Sequence, residues 1–427
     1  MTESLLHYLW KFRLFNSNAL FAKSGEEVEI INCGTHNHNS GPDFFNAKIK
    51  IGNKTWAGNV EIHTDGKEWY AHKHHLDAAY KNVVLHVVLE AEDLFFKCLE
   101  NDTIPCLELK GRIDEKLLAR YDYLMRSELP FPCAASLKNV DEFTQQNMLE
   151  RVAIERLENK TKHIETQLKT TNGDWEQVCW QTLARYLGSG IHGDALELTA
   201  ANIPIKTIAK HSDNVLQIEA MIFGVAGMLN KSFANDYPNE LKREFNYLKR
   251  LHSLPELNKE IFKWAKTRPA NFPTIRLAQL AALAQNIQHI FSKLLKGDVQ
   301  FINTFLSKLE VNSYWKNHFR FDEEAENKFS SIGKSTVQVI TINAIVPLLF
   351  AYGKNTGNEI LTEKALDILR QYKPEVNTTI SLYKKYGMAA PNALFTQGIL
   401  QLKSNYCDKK QCISCSIGNS ILTQIMQ

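Results

Sequence analysis

The sequence predicts an α/β N-terminal domain over residues 1–130, built as helix, three strands, helix and strand around a mixed sheet, followed by a large irregular all-α domain over 131–427. Three observations predict it. Hydrophobic periodicity changes type several times before Glu92, and from Phe143 onward it is almost wholly helical. Between these regions "SELPFPCAASL" (Ser127 to Leu137) carries two prolines and reads as a linker.

Leu5, Leu6, Leu9, Phe12 and Leu14, following Thr2, mark an amphipathic first helix. "EVEIINC" (Glu27 to Cys33) alternates and is β-branched, as a strand requires. "DFFNAKIKIG" (Asp43 to Gly52) is the second strand, with Gly52-Asn53-Lys54 as its turn, and "TWAGNVEIHT" (Thr55 to Thr64) the third. A short helix is expected from about Lys67 to Tyr80. "NVVLHVVLEAE" (Asn82 to Glu92) is a near-continuous apolar run suited to a sheet interior, and "TIPCLELKG" (Thr103 to Gly111) with the helical "IDEKLLARYDYLM" completes the domain. The helices expected beyond the linker include Asn258 to Lys266, Pro273 to Leu294 and Val337 to Gly353, with no fixed-period repeat.

Composition excludes several classes. The 427 residues are 44% hydrophobic with a formal charge of +3, so no field strong enough to announce a nucleic-acid binder surrounds the chain, although a local basic groove is compatible with it. The N-terminus lacks the pattern of a signal peptide. The most apolar stretch, Val337 to Tyr352, falls short of a bilayer and carries Gln338, Thr341, Asn343 and Pro347, so a buried, proline-kinked helix is expected and no membrane. Eight cysteines without a disulfide-like framework point to the reducing cytoplasm.

The chemistry-bearing stretch is "GPDFFNAKIKIGNKTWAGNVEIHTD", Gly41 to Asp65. Asp43 and Glu61 supply hard oxygen ligands for Mg²⁺ or Mn²⁺, and His63, two residues on from Glu61, shares its strand face as a base or third ligand. A turn centred on Asn53 sets Asp43 opposite His63, with Glu61 one diagonal away at roughly 5–8 Å. The apolar pattern conflicts with that register: Phe45, Ala47, Ile49 and Ile51 run in phase with Asp43, whereas Trp56, Val60 and Ile62 run out of phase with Glu61. Either both faces are covered by helices or a bulge near Asp43 resets the phase.

This order of elements, with Pro42-Asp43 opening the second strand and Glu61-Ile62-His63 on the third, resembles the PD-(D/E)XK core of the restriction-endonuclease-like superfamily over about the first ninety residues. The resemblance implies an acidic pair that binds Mg²⁺ and a lysine that activates water; His63 stands where that lysine belongs. Lys48 and Lys50, in regular alternation, face away from Asp43. A longer pattern, "GPDF…GNVEIH…W-x2-H-x-HH-x-D-x2-Y-x-NVVLHVV" with "RPANFPTIRLAQLAAL" and a C-terminal cysteine cluster, resembles an uncharacterised bacterial domain-of-unknown-function family over nearly the whole chain.

Eight of the fourteen histidines precede residue 90. His36 and His38 lie just before Asp43, and Trp69-x2-His72-x-His74-x2-Asp77-x2-Tyr80 follows Glu61; in a nuclease these line the substrate groove. A different reading takes His72, His74 and Asp77, with His63 or His86, as ligands of a transition metal. Inside an apolar strand, His86 is expected to be structural. At the far end Cys407-x4-Cys412-x2-Cys415 has spacing that wraps one Zn²⁺ or an iron-sulfur cluster, with Cys133 the first choice for a fourth ligand and Cys106 and Cys33 next. Some nucleases of the superfamily resembled carry such a four-cysteine cluster. Arg268 and Arg276 flank a helix start beginning at Pro273 and are candidates to hold a phosphate. Gly333-Lys334-Ser335 lacks the upstream glycine and strand of a P-loop.

The expected function is a metal-dependent phosphodiesterase or nuclease acting on DNA or RNA. The alternatives are a non-catalytic nucleic-acid-binding or scaffold protein on a decayed nuclease core, and a hydrolase with a His-rich transition-metal site.

Overall fold

The structure, a computed structural model, describes residues 1–93, 95–98, 103–265, 267–325 and 332–424. It comprises two compact units, one of Met1–Gln145 with Lys403–Gln427 and one of Gln146–Leu402. The last stretch of chain, with its three cysteines, therefore belongs with the sheet and not with the helices that precede it.

In the first unit α1 (Glu3–Phe12) starts at Thr2, whose side chain accepts a hydrogen bond from the Leu5 N–H, and it buries Leu5, Leu6, Leu9 and Trp10. The strands of this unit among the described residues are β1 (Val28–Asn32), β2 (Thr35–His36), β3 (Phe44–Ile51), β4 (Lys54–Asp65), β5 (Val83–Glu90), β6 (Phe95–Lys97) and β7 (Thr103–Glu108). They form one mixed sheet in the order β1-β3-β4-β5-β7-β6, with β2 beside β3. β1, β3 and β4 are antiparallel, β5 runs parallel to β4 and β7, and β6 is antiparallel to β7.

The connection from β4 to β5 differs from the single helix expected. It breaks into α2 (Glu68–Ala71) and two 3-10 turns, His74–Leu76 and Ala78–Tyr80. Lys73, at φ +61°, takes the left-handed conformation that interrupts a helix, and Asp77 restarts the chain by accepting the Ala79 N–H at 2.8 Å. The break turns His74 and Tyr80 inward. The short β6 strand was not visible in the sequence pattern.

The β3–β4 register also differs. Ile51 pairs with Lys54, so the turn contains two residues, Gly52 and Asn53, and Gly52 at φ +57° supplies the positive φ that such a hairpin needs. Pairing runs regularly to Ala47 opposite Gly58, then shifts so that Phe44 faces Val60. Phe45 and Asn46 together oppose Asn59: a β-bulge, with Asn46 at φ +57° and its N–H donating to the Asn59 side chain at 3.3 Å. Asp43 therefore comes opposite Glu61, not His63. The phase conflict in the sequence is resolved by this bulge, and burial of every residue from Val60 to His63 means that β4 is covered on both faces there as well.

The second unit is mostly helical, around a core that includes Trp180, Phe223 and Trp315. The helix expected from Asn258 to Lys266 is reduced to a 3-10 turn, Lys259–Ile261; Lys266 lies outside the described residues. The long helix expected from Pro273 divides into Pro273–Gln285 and Ile290–Lys296, because His289 at φ +55° breaks it. The apolar stretch at 337–352 lies within a longer helix, Lys334–Thr356, which by length and composition is sufficient to cross a membrane, correcting the shorter span expected; 72% of its apolar window is buried inside the protein. Its π-turn, Thr341–Ile345, precedes Pro347, whose missing N–H and ring would disrupt regular α-helical bonding.

Candidate functional site

The bulge places Asp43 and Glu61 against one another. The Asp43 N–H donates to Glu61 Oε2 at 3.1 Å, and the Ile62 N–H donates to Asp43 Oδ2 at 2.9 Å. Glu61 is only 4% exposed. Burial first, and then the neighbouring charge of Asp43, push its carboxyl up to about 9, against the pull of the Asp43 N–H. A buried acid in this state calls for a proton or a cation.

The other oxygen of Glu61 faces histidines. Glu61 Oε1 lies 3.6 Å from His63 Nε2 and 3.4 Å from His74 Nε2. His74 Nε2 is buried without a hydrogen-bond partner among the described residues. Ligand atoms of His63, His72 and His74 lie within 4.8 Å of one another, with His72 exposed and the other two buried. For bonds of roughly 2.1 Å to a tetrahedral cation, neighbouring ligand atoms stand about 3.4 Å apart, which is close to the distance from Glu61 Oε1 to each of the two imidazoles. Burial, then the neighbouring His74, push His63 down to about 3, and burial, then His72, lower His74. Both rings are therefore neutral at physiological pH, the form that ligates metal.

Behind these ligands stands His86, on β5 beside Glu61 in the parallel register, with its Nε2 2.8 Å from His63 Nδ1. If His63 donates from Nδ1, its Nε2 lone pair is left for a cation, the arrangement by which a supporting partner fixes a ligand's tautomer. His86 is fully buried, its own Nδ1 has no hydrogen-bond partner among the described residues, and burial keeps it neutral. Such an orphaned group costs about 1–3 kcal/mol. Trp69, Phe96 and Tyr80 wall this layer, with Tyr80 stacked on His74 at 3.9 Å between ring centroids.

On the other side of Asp43, α1 presents Glu3 and His7. His7 Nε2 is 3.2 Å from Asp43 Oδ2 and 3.5 Å from Glu3 Oε1. Neither residue was assigned a role from sequence, although Glu3 and His7, four apart on an N-terminal helix, carried the signal. Burial works against protonation of His7, but contact with Asp43 and the charge of Glu3 outweigh it and raise its pKa. His36 and His38 also come to this side: His36 stacks on Phe44 at 4.8 Å and contacts His38 and His7 edge-on. Burial and then His38 push His36 down to about 4.

The remaining expected residues are placed differently. Asp77 caps a 3-10 turn and is exposed. Lys48 and Lys50 are exposed on β3, Lys50 being 3.7 Å from Glu29. Arg276, in the second unit, is buried and its guanidinium donates to Gln279 and Asn271 at 2.9 and 2.6 Å; Arg268 is exposed at the start of a 3-10 turn.

Cys133, Cys407, Cys412 and Cys415 are all buried in the first unit, and none is in a disulfide among the described residues. The stretches that carry them run side by side: Lys410 Nζ donates to the Met125 carbonyl and Gln424 Nε2 to that of Asn139 at 2.9 Å. Burial, then Cys407, Cys415 and Cys412, raise the Cys133 thiol, and burial, then Cys415, push Cys412 up to about 12. Cys33 and Cys106, the second choices, serve other surroundings: the Cys33 carbonyl accepts the Trp10 indole N–H at 3.1 Å, and Cys106 sits in β7 paired with His86.

Comparison with known proteins matches residues 3–378 to the model of a family described as "Protein of unknown function (DUF2851)". No curated protein and no solved structure matches the chain.

Proposed function

The chain belongs to that family, and from this premise we propose that it is a metal-dependent phosphodiesterase acting on DNA or RNA, with Asp43, Glu61 and His63 at its centre. The observation that carries the reading is the meeting of two carboxylates from adjacent strands, through the Asp43 N–H bond to Glu61, beside the imidazoles of His63 and His74. The order of α1, β1, β3, β4, the broken helical crossover and β5 supports it by its likeness to a restriction-endonuclease-like core. A bound Mg²⁺ or Mn²⁺ supplies Lewis-acid polarisation of a phosphoryl oxygen and lowers the pKa of a bound water. In this reading Glu61 and His63 hold the cation, Asp43 completes the acidic wall, and His36, His38 and His72 line the approach to it.

A second reading, a hydrolase with a His-rich transition-metal site, is favoured by the convergence of His63, His72 and His74, because imidazole suits Zn²⁺ or Fe²⁺ better than Mg²⁺. The cysteine group is proposed as a separate structural site for an iron-sulfur cluster or Zn²⁺, in keeping with a reducing cytoplasmic setting.

The test incubates the purified chain with single- and double-stranded DNA and RNA in Mn²⁺ or Zn²⁺. Cleavage that disappears in Asp43→Ala and Glu61→Ala supports the first reading. Cleavage indifferent to both substitutions, or no cleavage with any cation, removes it; salt-sensitive binding without turnover would favour a binding protein on a decayed core.

A further inference from the structure

We propose that the second unit carries a pocket for one nucleotide, a planar base with its phosphate, built without any residue of the first unit and independent of the reading above. A cavity of about 440 Å³ opens there among Trp264, Arg320, Lys231, Lys259, Glu260 and Glu323. Small-molecule sites typically measure roughly 300–1,000 Å³. All six residues belong to the second unit.

Arg320 ends the short strand β8 (His318–Arg320), which pairs with β9 (Glu323–Glu324). Its guanidinium lies 5.0 Å from the centre of the Trp264 ring and 4.7 Å from that of Phe272, the two rings meeting edge-on at 5.6 Å. Contact with ring faces leaves the in-plane N–H groups of a guanidinium for other partners. The Nε of Arg320 is buried without a hydrogen-bond partner among the described residues, and its Nη1 stands 3.6 Å from Glu323 Oε2, too far for a hydrogen bond. A buried donor without an acceptor is destabilising, and an anionic oxygen in the cavity relieves it. Lys231 and Lys259, both exposed, bring two more positive charges to the lining, against the carboxylates of Glu260 and Glu323. A bare phosphate has no use for the half-buried Trp264, and an apolar ring has none for three cations. A nucleotide uses both: its base stacks on an aromatic ring or a guanidinium plane, its exocyclic amino group donates to a carboxylate, and its phosphate meets the cations.

The walls are fixed by contacts of their own. Between β8 and β9, Asp322 accepts the N–H groups of Ala234 and Asn235 at 3.2 and 3.0 Å and donates its own N–H to the Tyr314 hydroxyl at 2.9 Å. That ties the hairpin bearing Arg320 and Glu323 to the chain that follows Lys231. The Thr274 hydroxyl donates to the Phe319 carbonyl, joining the same hairpin to the helix that starts at Pro273. On another wall the Leu257 N–H donates to the Val225 carbonyl at 2.8 Å, and Gly227, at φ +71°, leaves the room that the Leu257 carbonyl occupies. A pocket already in shape loses less freedom when it fills. The sequence pointed to Arg268 and Arg276 as phosphate holders, whereas the arginine at this cavity comes from a hairpin that periodicity did not reveal.

The experiment titrates the full chain, in excess chelator, with AMP, adenosine and inorganic phosphate by calorimetry. AMP should bind at least tenfold more tightly than either of its parts. Trp264→Ala and Arg320→Gln should each weaken AMP roughly tenfold, within the range expected for losing a stacking partner, with circular dichroism unchanged. Trp264→Phe should keep most of the affinity, and Lys231→Gln with Lys259→Gln, at exposed positions, should weaken AMP and leave adenosine unaffected. Displacement of AMP by a short single-stranded oligonucleotide would identify a nucleic-acid strand as the source of the nucleotide; AMP bound but not displaced would identify the free nucleotide, and either supports the pocket. No binding of AMP or of the oligonucleotide would overturn it. So would phosphate bound as tightly as AMP, or AMP affinity unchanged in Trp264→Ala, Arg320→Gln and the lysine pair alike. None of these outcomes touches the phosphodiesterase reading, which stands or falls with cleavage in Asp43→Ala and Glu61→Ala.

Discussion

Asp43 and Glu61 clasp one another across β3 and β4: the Asp43 N–H is bonded to the Glu61 carboxylate, while the Asp43 carboxylate is bonded to the N–H of Ile62, the residue after Glu61. Each acid is thus held by the other's strand, and neither position can shift without unsettling both.

That mutual hold implies a conflict between stability and metal binding. In the chelated protein at pH 7.5, a buried Glu61 pushed up to about 9 is a burden that a neutral amide relieves. Glu61→Gln should therefore match or exceed the wild-type melting temperature without metal, and lose the rise that Mn²⁺ or Zn²⁺ gives the wild type. Thermal scans with and without metal check both; a Glu61→Gln protein that melts lower when chelated and still responds to metal would refute the account.

The support behind His63 predicts a loss of affinity without a loss of ligands. His86→Phe removes the partner of His63 Nδ1 while filling the same buried space against Phe96 and Trp69. Zn²⁺ affinity should fall roughly 10–100-fold, measured by competition with a chromophoric chelator. Unchanged affinity would make His86 only a packing residue.

Asn46 is the backbone price of the bulge. A β-branched residue at its left-handed φ of +57° is strained, so Asn46→Val should cost about 1–2 kcal/mol in urea unfolding. Asn46→Gly should stay within about 0.5 kcal/mol of wild type. Equal effects from both would mean that the side-chain contacts of Asn46, and not its conformation, matter.

In the second unit, Glu219 predicts a pH dependence unrelated to metal. It is 2% exposed, its Oε2 accepts from Asn312 at 3.0 Å, and burial pushes it up to about 7. Its neutral form is favoured in the folded state, so its contribution is full below about pH 4.5 and is lost as pH rises through 7. The total is on the order of 3 kcal/mol. Denaturation at pH 5 and pH 8 should show that difference shrinking in Glu219→Gln; identical pH profiles would exclude the effect.

The cysteine group gives a colour test. Anaerobically purified protein should carry iron and sulfide with visible absorbance, or zinc without colour, and Cys412→Ser should lose the metal and lower the melting temperature. Iron, sulfide and zinc all absent from fresh protein would remove the proposal.

The order of elements in the first unit was legible because periodicity and β-branching are local properties. The acidic pair was legible too, as types of residue in strands. Its geometry was not, since register depends on a two-residue turn and on one left-handed asparagine, and a misplaced turn centre sets Asp43 against His63. The gathering of His74 was out of reach for another reason: it depends on Lys73 breaking the crossover helix, an event that propensity does not foretell. Glu3 and His7 were missed because α1 was read for its apolar face alone. Arg276 looked available in sequence, whereas its neighbours Asn271 and Gln279 had already claimed it.

The doubled residue at Phe45 and Asn46 makes the chemistry of this chain depend on a count as well as on identities. Gain of a single codon there, with the bulge still holding one extra residue, would leave every acid and histidine in the gene and a hairpin still able to form, yet carry Asp43 one place along β4 and rotate it to the opposite side of the sheet. A lineage could fall silent through that one insertion while any inventory of its residues still scored it as complete.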